Sequence, residues 1–475
     1  MPRKGRRKAE SLEIVTRDCA GIDIGKDTHY VAVDPERCEE PVRSFDAFTP
    51  DLEEMAAWLS SCGVEKVAME STSVYWMPVF EVLDRAGFEV MLVPPRMTKQ
   101  ISGRKSDVLD CQWIRQLLSY GLLRGAFRPG DAVCPLRSYV RQAKRLTDDR
   151  SRSVLHMQKA LTEMNVRLDS VITDITGVTG QRILRAIIDG ERDPRRLAAL
   201  RDGRIKASHD RIAAALQGTW REEHVFALTQ AMQRFDFLTE QIATCETQIA
   251  MQIDSLTPPH DGPDDDQLPG SPGPSRSGTG LPKAPRSNHA KRTAKERATA
   301  EALHRMMGVD LTVIPAIGVN TALTIAAEIG PDFSAFPSAQ HFSSWLGLAP
   351  GTRISGGKSL PGRAPKAINK VAQSLRMAAM SARRSQAFIG ARHRGRLARK
   401  DAPVAITATA RELACLIYTL VTRAEEYVER GIETYERRRV DRSVSNLGRR
   451  AKQLGYQLVR MPEDTDGTIG AESIA

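Results

Sequence analysis

Four carboxylates in this sequence are placed so that they could hold divalent metal ions. Asp23 lies inside an otherwise apolar stretch near the N-terminus, where a buried carboxylate is costly unless it is paired or binds a metal. Glu70 directly follows a second apolar run, and Asp107 and Asp110 are three residues apart, which puts both on one face of a helix. If the four acids converge, they repel one another, and hard cations such as Mg²⁺ relieve that repulsion through oxygen ligands.

Such a site has a defined chemistry, because two ions about 3.5–4 Å apart can bind a scissile phosphate, activate a nucleophile and stabilise the leaving oxygen. A structural interpretation stays open. Asp23 could be a turn aspartate before Gly25, Glu70 could cap the next helix, and Asp107 and Asp110 could be surface acids of a helix. The sequence therefore predicts either a metal-dependent phosphoryl-transfer site or four unrelated structural acids.

The elements that would position these acids form an α/β domain over residues 19–130. Apolar runs with glycines as helix stops predict strands followed by alternating helices and strands, hence a mixed sheet with helices packed on it. Asp23 must lie on a central strand if the acids are to meet. The predicted strands are 19–25, 29–34, 42–47, 65–69 and 88–93, and the predicted helices are 51–61, 73–86 and 97–121.

Residues 135–253 read as long helices with two apolar seams of coiled-coil spacing. Two interpretations remain equal here, a coiled-coil arm used for assembly and an intramolecular helical hairpin. The first seam consists of Val154, Met157, Leu161, Met164, Leu168 and Val171, and the second of Val225, Leu228, Met232, Phe235, Ile242, Cys245 and Ile249.

The composition favours an intracellular protein with a polyanionic partner. Of 475 residues, 69 are Lys or Arg and 58 are Asp or Glu, giving a net charge of +11, which favours nucleic acid binding. The seven cysteines form no CxxC pair, which fits a reducing cytosol rather than a disulfide framework. No apolar stretch approaches the roughly 20 residues that cross a bilayer. We therefore expect a cytoplasmic protein.

Charge is most one-sided in the C-terminal half. Residues 341–400 contain thirteen Lys or Arg and no Asp or Glu, which favours phosphate binding over an ordinary solvated face. Residues 255–292 are rich in Pro, Gly, Ser and Asp, and we interpret them as a disordered linker.

Several motifs in order resemble one known family. They are G-I-D-I-G-K, A-M-E-S-T-S-V-Y-W, V-P-P-R-M-T-K-Q and K-S-D-V-L-D in the first half, then I-P-A-I-G, F-S-S-W-L-G-L-A-P and I-S-G-G-K in the second. Over residues 18–130 and 300–430 the chain resembles the DEDD transposases of bacterial insertion sequences. Their N-terminal domain is similar to RuvC resolvases and is ribonuclease-H-like. The resemblance implies that Asp23, Glu70, Asp107 and Asp110 bind metal, two ions of Mg²⁺ or Mn²⁺.

The resemblance also gives Ser355 a role, as the nucleophile that attacks DNA and forms a phosphoserine link. Two glycines after Ser355 allow close approach to a phosphate, and flanking cations could stabilise the developing charge. Ser343, Ser344 and Ser359 are competing candidates on local grounds. The expected nucleic-acid contacts are Arg353, Gly356, Gly357, Lys358, Arg363, Lys366 and Lys370. Ala316 departs from the family, which usually has glycine in that turn.

The predicted activity is that of a transposase or site-specific recombinase with an active site composed from both domains. The resemblance further implies guidance by a structured RNA, a bridge RNA, and we expect a homo-oligomer, a dimer or tetramer. The alternatives are a RuvC-like endonuclease that needs the acids but not Ser355, and a catalytically silent nucleic-acid-binding protein. The predicted regions are a basic arm 1–18, a RuvC-like domain 19–130, a coiled-coil region 135–253, a linker 254–295, a mainly helical transposase domain 300–430 and a helical extension with a polar tail 431–475.

Overall fold

The computed structural model divides the chain into two compact units, Met1–Arg128 and Pro129–Ala475. It describes residues 13–71, 73–98, 107–257, 292–351, 353–355, 358–360, 369–423, 441 and 444–459. Most of the basic arm, nearly all of the predicted linker and the polar tail from 460 lie outside the described residues.

The N-terminal unit is built on a five-stranded mixed sheet with the order β3-β2-β1-β4-β5. Strand β1 is central, as the acid-site prediction requires, and it pairs antiparallel with β2 and parallel with β4. The strands are β1 Cys19–Ile24, β2 Thr28–Ala32, β3 Val42–Asp46, β4 Lys66–Glu70 and β5 Glu89–Val93. The mixed α/β fold of this unit is consistent with a ribonuclease-H-like domain.

Alternation along the strands gives the sheet two apolar faces. Ile22 and Met69 face a core that helices α1 (Thr49–Ser61) and α2 (Trp76–Arg85) cover. On the opposite face Ala68 packs with Ile114 of α4 (Asp107–Ser119). Each fully buried aliphatic side chain contributes about 1.5–3 kcal/mol, so helices are held on both faces of the strand that carries Asp23.

The predicted helix 97–121 is described only in part. The structure shows a short helix α3, Pro95–Thr98, and helix α4, which begins at Asp107, whereas residues 99–106 lie outside the described part. The other predicted elements of this unit differ from the observed ones by at most three residues at either end.

The second unit begins with a long helical hairpin. Helices α5 (Cys134–Glu163) and α9 (Glu222–Ser255) run antiparallel, because the end of α5 packs on the start of α9, and Gln252 near the end of α9 donates to the carbonyl of Ala132 at 3.3 Å. Three helices cap the far end: α6 Val178–Ile188, α7 Pro194–Ala199 and α8 His209–Ala215.

The two apolar seams meet each other within the chain. Met157 and Leu161 of the first seam share one core with Leu228 and Met232 of the second, so the hairpin interpretation describes their packing. The first seam is not continuous, because α5 ends at Glu163 and Leu168 is buried in the cap beyond it. Assembly through this region stays a prediction.

The remaining elements form a helical bundle with a two-stranded ribbon. Phe333, Phe336, Phe342, Trp345 and Tyr418 make an aromatic cluster inside it, with ring centroids 5.1–6.2 Å apart. The elements are α10 Ala294–Met307, α11 Val319–Ile329, α12 Ala339–Trp345, β6 Arg353–Ser355, β7 Lys358–Leu360, α13 Lys370–Ser381, α14 Phe388–Leu397 and α15 Ala402–Arg423. Residues 444–453 are also helical.

Helix α15 corrects one expectation. Its 22 residues are long and apolar enough to cross a membrane by length and composition, whereas no such stretch was expected from the sequence. One face of the helix, including Leu413 and Ile417, is fully buried in the bundle, and Glu412 on the same helix is held by two arginines. A helix buried in a protein core can be as long and as apolar as a membrane-spanning helix, so length and composition alone are weak evidence that α15 crosses a membrane.

Candidate functional site

Asp23 and Glu70 lie at the same end of two neighbouring parallel strands. In the parallel register Ile22 pairs with Met69, and Asp23 and Glu70 are the next residues on their strands. Neighbouring strands lie about 4.8 Å apart, so the two acids are neighbours. Because Ile22 and Met69 face the core under α1 and α2, alternation turns the two carboxylates to the face on which α4 packs. Both acids are half-buried. This end of the sheet, with Asp23, Glu70 and Asp110 of α4, is called the acid edge below.

Helix α4 brings Asp110 to the acid edge because Gly21 lets it approach the strand. A Cβ atom on Gly21 would lie 2.3 Å from the backbone nitrogen of Arg115 and 2.4 Å from the carbonyl oxygen of Cys111. Burial raises the pKa of the Cys111 thiol to about 12, and the charges of Asp23 and Asp110 also raise it.

Glu70 is oriented by a neutral hydroxyl. Thr98, at the end of α3 and only 8% exposed, donates from Oγ1 to Glu70 Oε2 at 2.6 Å. The same hydroxyl oxygen lies 3.1 Å from the carbonyl of Pro95, one turn earlier, which fixes its position. A hydrogen bond to a charged acceptor is short and strong, so Thr98 restricts the carboxylate of Glu70 to one direction.

A second contact holds α4 from its other side. The Arg115 guanidinium forms an ion pair with Asp34, just after β2, at 3.2 Å, and the two side chains are 18% and 20% exposed. An ion pair this far from solvent is screened little by salt. Helix α4 is thus fixed against β1 by close backbone packing and against the end of β2 by charge.

The four predicted metal ligands are only partly assembled. Asp107 is exposed at the first residue of α4, whereas Asp110 is half-buried one turn later. Among the described residues, no group of three His, Cys, Asp or Glu side chains lies close enough to hold one metal ion. Carboxylate oxygens are nevertheless the ligands that Mg²⁺ prefers, so the donor chemistry of the acid edge fits a hard divalent cation.

Ser355 is the last residue of β6, and its backbone pairs with Lys358, the first residue of β7. Arg353 begins the same ribbon and pairs with Leu360. Gly356, Gly357, Arg363 and Lys366 lie outside the described residues. Of the competing serines, Ser343 is fully buried and donates to the carbonyl of Gln340, whereas the backbone of Ser359 pairs with Ile354.

Part of the basic run has structural contacts. Arg392 and Arg396 of α14 each bind one oxygen of Glu412 at 2.6 Å, and Arg394 donates to the carbonyls of Arg383 and Ser385. Residues 341–400 contain no acid, but in the folded chain Glu412 from outside this stretch pairs with two of its arginines. Lys370 at the start of α13 is exposed and stays available as a phosphate contact.

Sequence reasoning missed four residues that build the acid edge. A glycine inside an apolar strand signals close approach of another backbone, so Gly21 could have been found. Thr98 lies in the V-P-P-R-M-T motif, but nothing local links it to Glu70, 28 residues away. The pairing of Asp34 with Arg115, 81 residues apart, has no local signal at all.

Comparison with known proteins agrees with this geometry. A family model described as "Transposase" and named for DEDD transposases of the IS110 type matches residues 20–166, which include all four acids. A second, "Transposase IS116/IS110/IS902 family", matches residues 309–394, which include Ser355. Both matches are to transposases of the IS110 type, so the chain is similar to that class over these two stretches.

One known relative is the "Insertion element IS110 uncharacterized 43.6 kDa protein" of Streptomyces coelicolor. It is 40% identical to this chain over 60 residues, which are 13% of this chain and 15% of the relative.

Proposed function

We propose that this protein is the transposase of an insertion sequence, a site-specific recombinase that cuts and rejoins DNA. The observation that carries the proposal is the acid edge, where two carboxylates end adjacent parallel strands and a third lies on the helix packed over them. The two family matches, in the order expected for the IS110 type, support the same activity. DNA is then the partner, which favours a cytoplasmic protein.

In the proposed reaction the two domains have separate tasks. Asp23, Glu70, Asp107 and Asp110 would hold Mg²⁺ or Mn²⁺, which when bound would polarise the scissile phosphate and lower the cost of the developing charge. Thr98 keeps Glu70 oriented, and α4 keeps Asp110 near β1. Ser355 would attack the phosphate through its hydroxyl oxygen, giving a phosphoserine link and releasing the 3′ oxygen of the cut strand, while Arg353 and Lys358 would neutralise phosphoryl oxygens.

Guidance by a bridge RNA and assembly into a dimer or tetramer complete the proposal. The basic ribbon and α13 can contact the phosphates of RNA as readily as those of DNA, so the RNA part rests on analogy with the family. A serine hydroxyl is a weak nucleophile until it is activated, and the apolar seams of residues 135–253 are the sequence feature that led us to expect an oligomer. A catalytically active monomer would contradict the oligomer.

The test uses the full-length protein with Mg²⁺, the element's joined ends and its flanking transcribed RNA. A denaturing gel should show protein covalently bound to DNA in the wild type and in the matched control Ser359→Ala, but not in Ser355→Ala or Asp23→Ala. Cleavage without an adduct that is lost in Asp23→Ala but kept in Ser355→Ala would instead establish a RuvC-like nuclease. Omitting the RNA should abolish the adduct, and full activity without RNA would refute guidance.

A further inference from the structure

Two cysteines of the N-terminal unit contact each other. Cys38 lies in the loop between β2 and β3, and Cys62 directly follows α1 and caps its end. Cys38 packs against the core that contains Cys62, and the two thiols are within hydrogen-bonding range of each other. Arg37 donates to the carbonyls of Cys62 at 3.4 Å and of Gly63 at 2.8 Å. The loop is therefore fixed to the end of α1 directly beside the two sulfur atoms.

The two thiols differ in accessibility and in acidity. Cys38 is half-exposed, whereas Cys62 is 6% exposed. The backbone N–H of Glu40, followed by the Cys62 thiol, lowers the pKa of Cys38, while burial and then the contact with Cys38 raise the pKa of Cys62. An accessible thiol that ionises easily, next to a second protected thiol, is the arrangement of a reactive cysteine and its resolving partner.

Four of the other five cysteines lack this combination. Cys19 and Cys111 are buried, and burial raises the pKa of each thiol. Burial also raises the pKa of Cys415. Cys245 is half-buried on α9 in the other unit and provides a matched comparison.

We propose that Cys38 and Cys62 are an oxidant-reactive pair that peroxide converts to a disulfide. The Cys38 thiolate attacks one oxygen of hydrogen peroxide, the O–O bond breaks, and the leaving hydroxide takes a proton to give water and a Cys38 sulfenic acid. The Cys62 thiol then attacks that sulfur, loses its proton, and displaces a second water. Two thiols are oxidised and one peroxide is reduced to two waters. A dithiol reverses the reaction.

The product joins the loop between β2 and β3 to the end of α1. Thiols already in contact need only a small approach to reach an S–S bond of about 2.05 Å. The same loop region begins at Asp34, whose carboxylate holds Arg115 of α4. The modification therefore acts next to the elements that position the acid edge, without using any of its carboxylates.

The test treats the reduced full-length protein with a small excess of hydrogen peroxide and then maps peptides under non-reducing conditions. The wild type and the control Cys245→Ser should lose two hydrogens in mass, regain them with dithiothreitol, and yield a peptide joining residues 38 and 62. Cys62→Ser should leave Cys38 carrying added oxygen. Cys38→Ser should leave Cys62 unmodified on the same timescale.

The wild-type map decides the matter even if a variant fails to fold. A 38–62 linked peptide formed before oxidation of any other cysteine supports the pair. Earlier oxidation elsewhere overturns the proposal, and so does oxygen added to Cys38 without a link. Neither result bears on recombination, because the measurement uses no DNA.

Discussion

One acid from each unit, Glu328 and Glu70, shows a different kind of contact. In the C-terminal unit Glu328 of α11 is 8% exposed and bound by Arg137 and Arg141, one turn apart on α5, at 2.9 and 2.7 Å. Glu412 is bound in the same manner by Arg392 and Arg396. At the acid edge of the N-terminal unit, Glu70 instead accepts from the neutral hydroxyl of Thr98.

The difference separates structural acids from candidate ligands. A guanidinium pair neutralises a carboxylate and holds two helices together, at the cost of partly removing the charges from water. Burial accordingly lowers the pKa of Arg137, although Glu328 raises it. The hydroxyl of Thr98 orients the carboxylate of Glu70 without itself adding a positive charge. Acids of the first kind should matter for stability, and those of the second kind for activity.

The largest expected effect is on stability, from Glu328→Ala. It leaves two partly buried guanidinium groups facing each other, and breaking a buried pair in this way costs about 3–5 kcal/mol. Urea unfolding followed at the C-terminal unit measures the loss. The matched control is Asp148→Asn, which removes an exposed pair with Lys144 and should cost less than about 1 kcal/mol. Equal losses in the two variants would show that the pairing of Glu328 contributes no more to stability than an exposed ion pair.

The next effect tests how the acid edge is built. Gly21→Ala places a methyl group within 2.4 Å of the α4 backbone, and overpacking of this kind costs about 1–3 kcal/mol. It should also move Asp110 away from β1 and reduce DNA cleavage more than the stability loss explains. The control is Gly130→Ala, where a Cβ would meet no atom within 4 Å. Full cleavage by folded Gly21→Ala would show that the position of α4 does not matter.

Thr98→Val removes the hydroxyl that orients Glu70 while keeping the shape of the side chain. We expect a loss of about 1–2 kcal/mol, since a hydrogen bond to a charged group is broken, and a higher Mg²⁺ concentration for half-maximal cleavage. Thr98→Ser restores the donor and should recover most of the metal response. Unchanged metal dependence in Thr98→Val would place Thr98 among residues that act only on stability.

A pH series compares one buried histidine in each unit. Burial lowers the pKa of His29 and, with nearby arginines, that of His393. In the unfolded chain each histidine has a pKa of about 6.5, so below that pH the unfolded chain binds more protons than the folded protein. Above about pH 6.5 neither histidine lowers the free energy of unfolding. Below it, the free energy of unfolding falls as the pH drops toward the pKa values of the folded protein.

Of the two histidines, His29 should contribute more to the loss of stability in acid. Its Nδ1 makes no hydrogen bond among the described residues, whereas Nδ1 of His393 lies 3.0 Å from Thr409 Oγ1. His29→Leu should flatten the loss of stability between pH 6.5 and 5, measured by thermal unfolding at each pH. The exposed His156→Leu on α5 serves as control. An unchanged slope in His29→Leu would assign the acid sensitivity elsewhere.

The sequence was most informative where function depends on local pattern. Apolar runs ending in Asp23 and Glu70 predicted strands whose acids share one end of the sheet, and the structure places them there. Patterns name the face of an element but not the partner that covers it. For this reason the sequence could not predict the ion pair between Arg141 and Glu328, which are 187 residues apart. Nor could it predict the hydrogen bond from Thr98 to Glu70.

The smallest effect concerns Ala316, a backbone position where the family that the chain resembles usually has glycine. Ala316 has a φ of +77°, and the N–H of Ile317 donates to the carbonyl of Ile314 at 3.0 Å, so Pro315 and Ala316 occupy the centre of a type II turn. That turn requires a positive φ at its third residue and favours glycine there. The turn thus keeps the geometry that glycine would give it, and alanine carries the strain.

Ala316→Gly should therefore stabilise the C-terminal unit by about 0.5–1 kcal/mol, since relief of the left-handed strain exceeds the entropy that glycine adds to the unfolded chain. The same substitution at the exposed helical Ala243 should have the opposite sign and cost about 0.5–1 kcal/mol. Urea midpoints measured side by side give both values. A destabilised Ala316→Gly would mean that the Ala316 methyl group makes contacts worth more than the strain it causes.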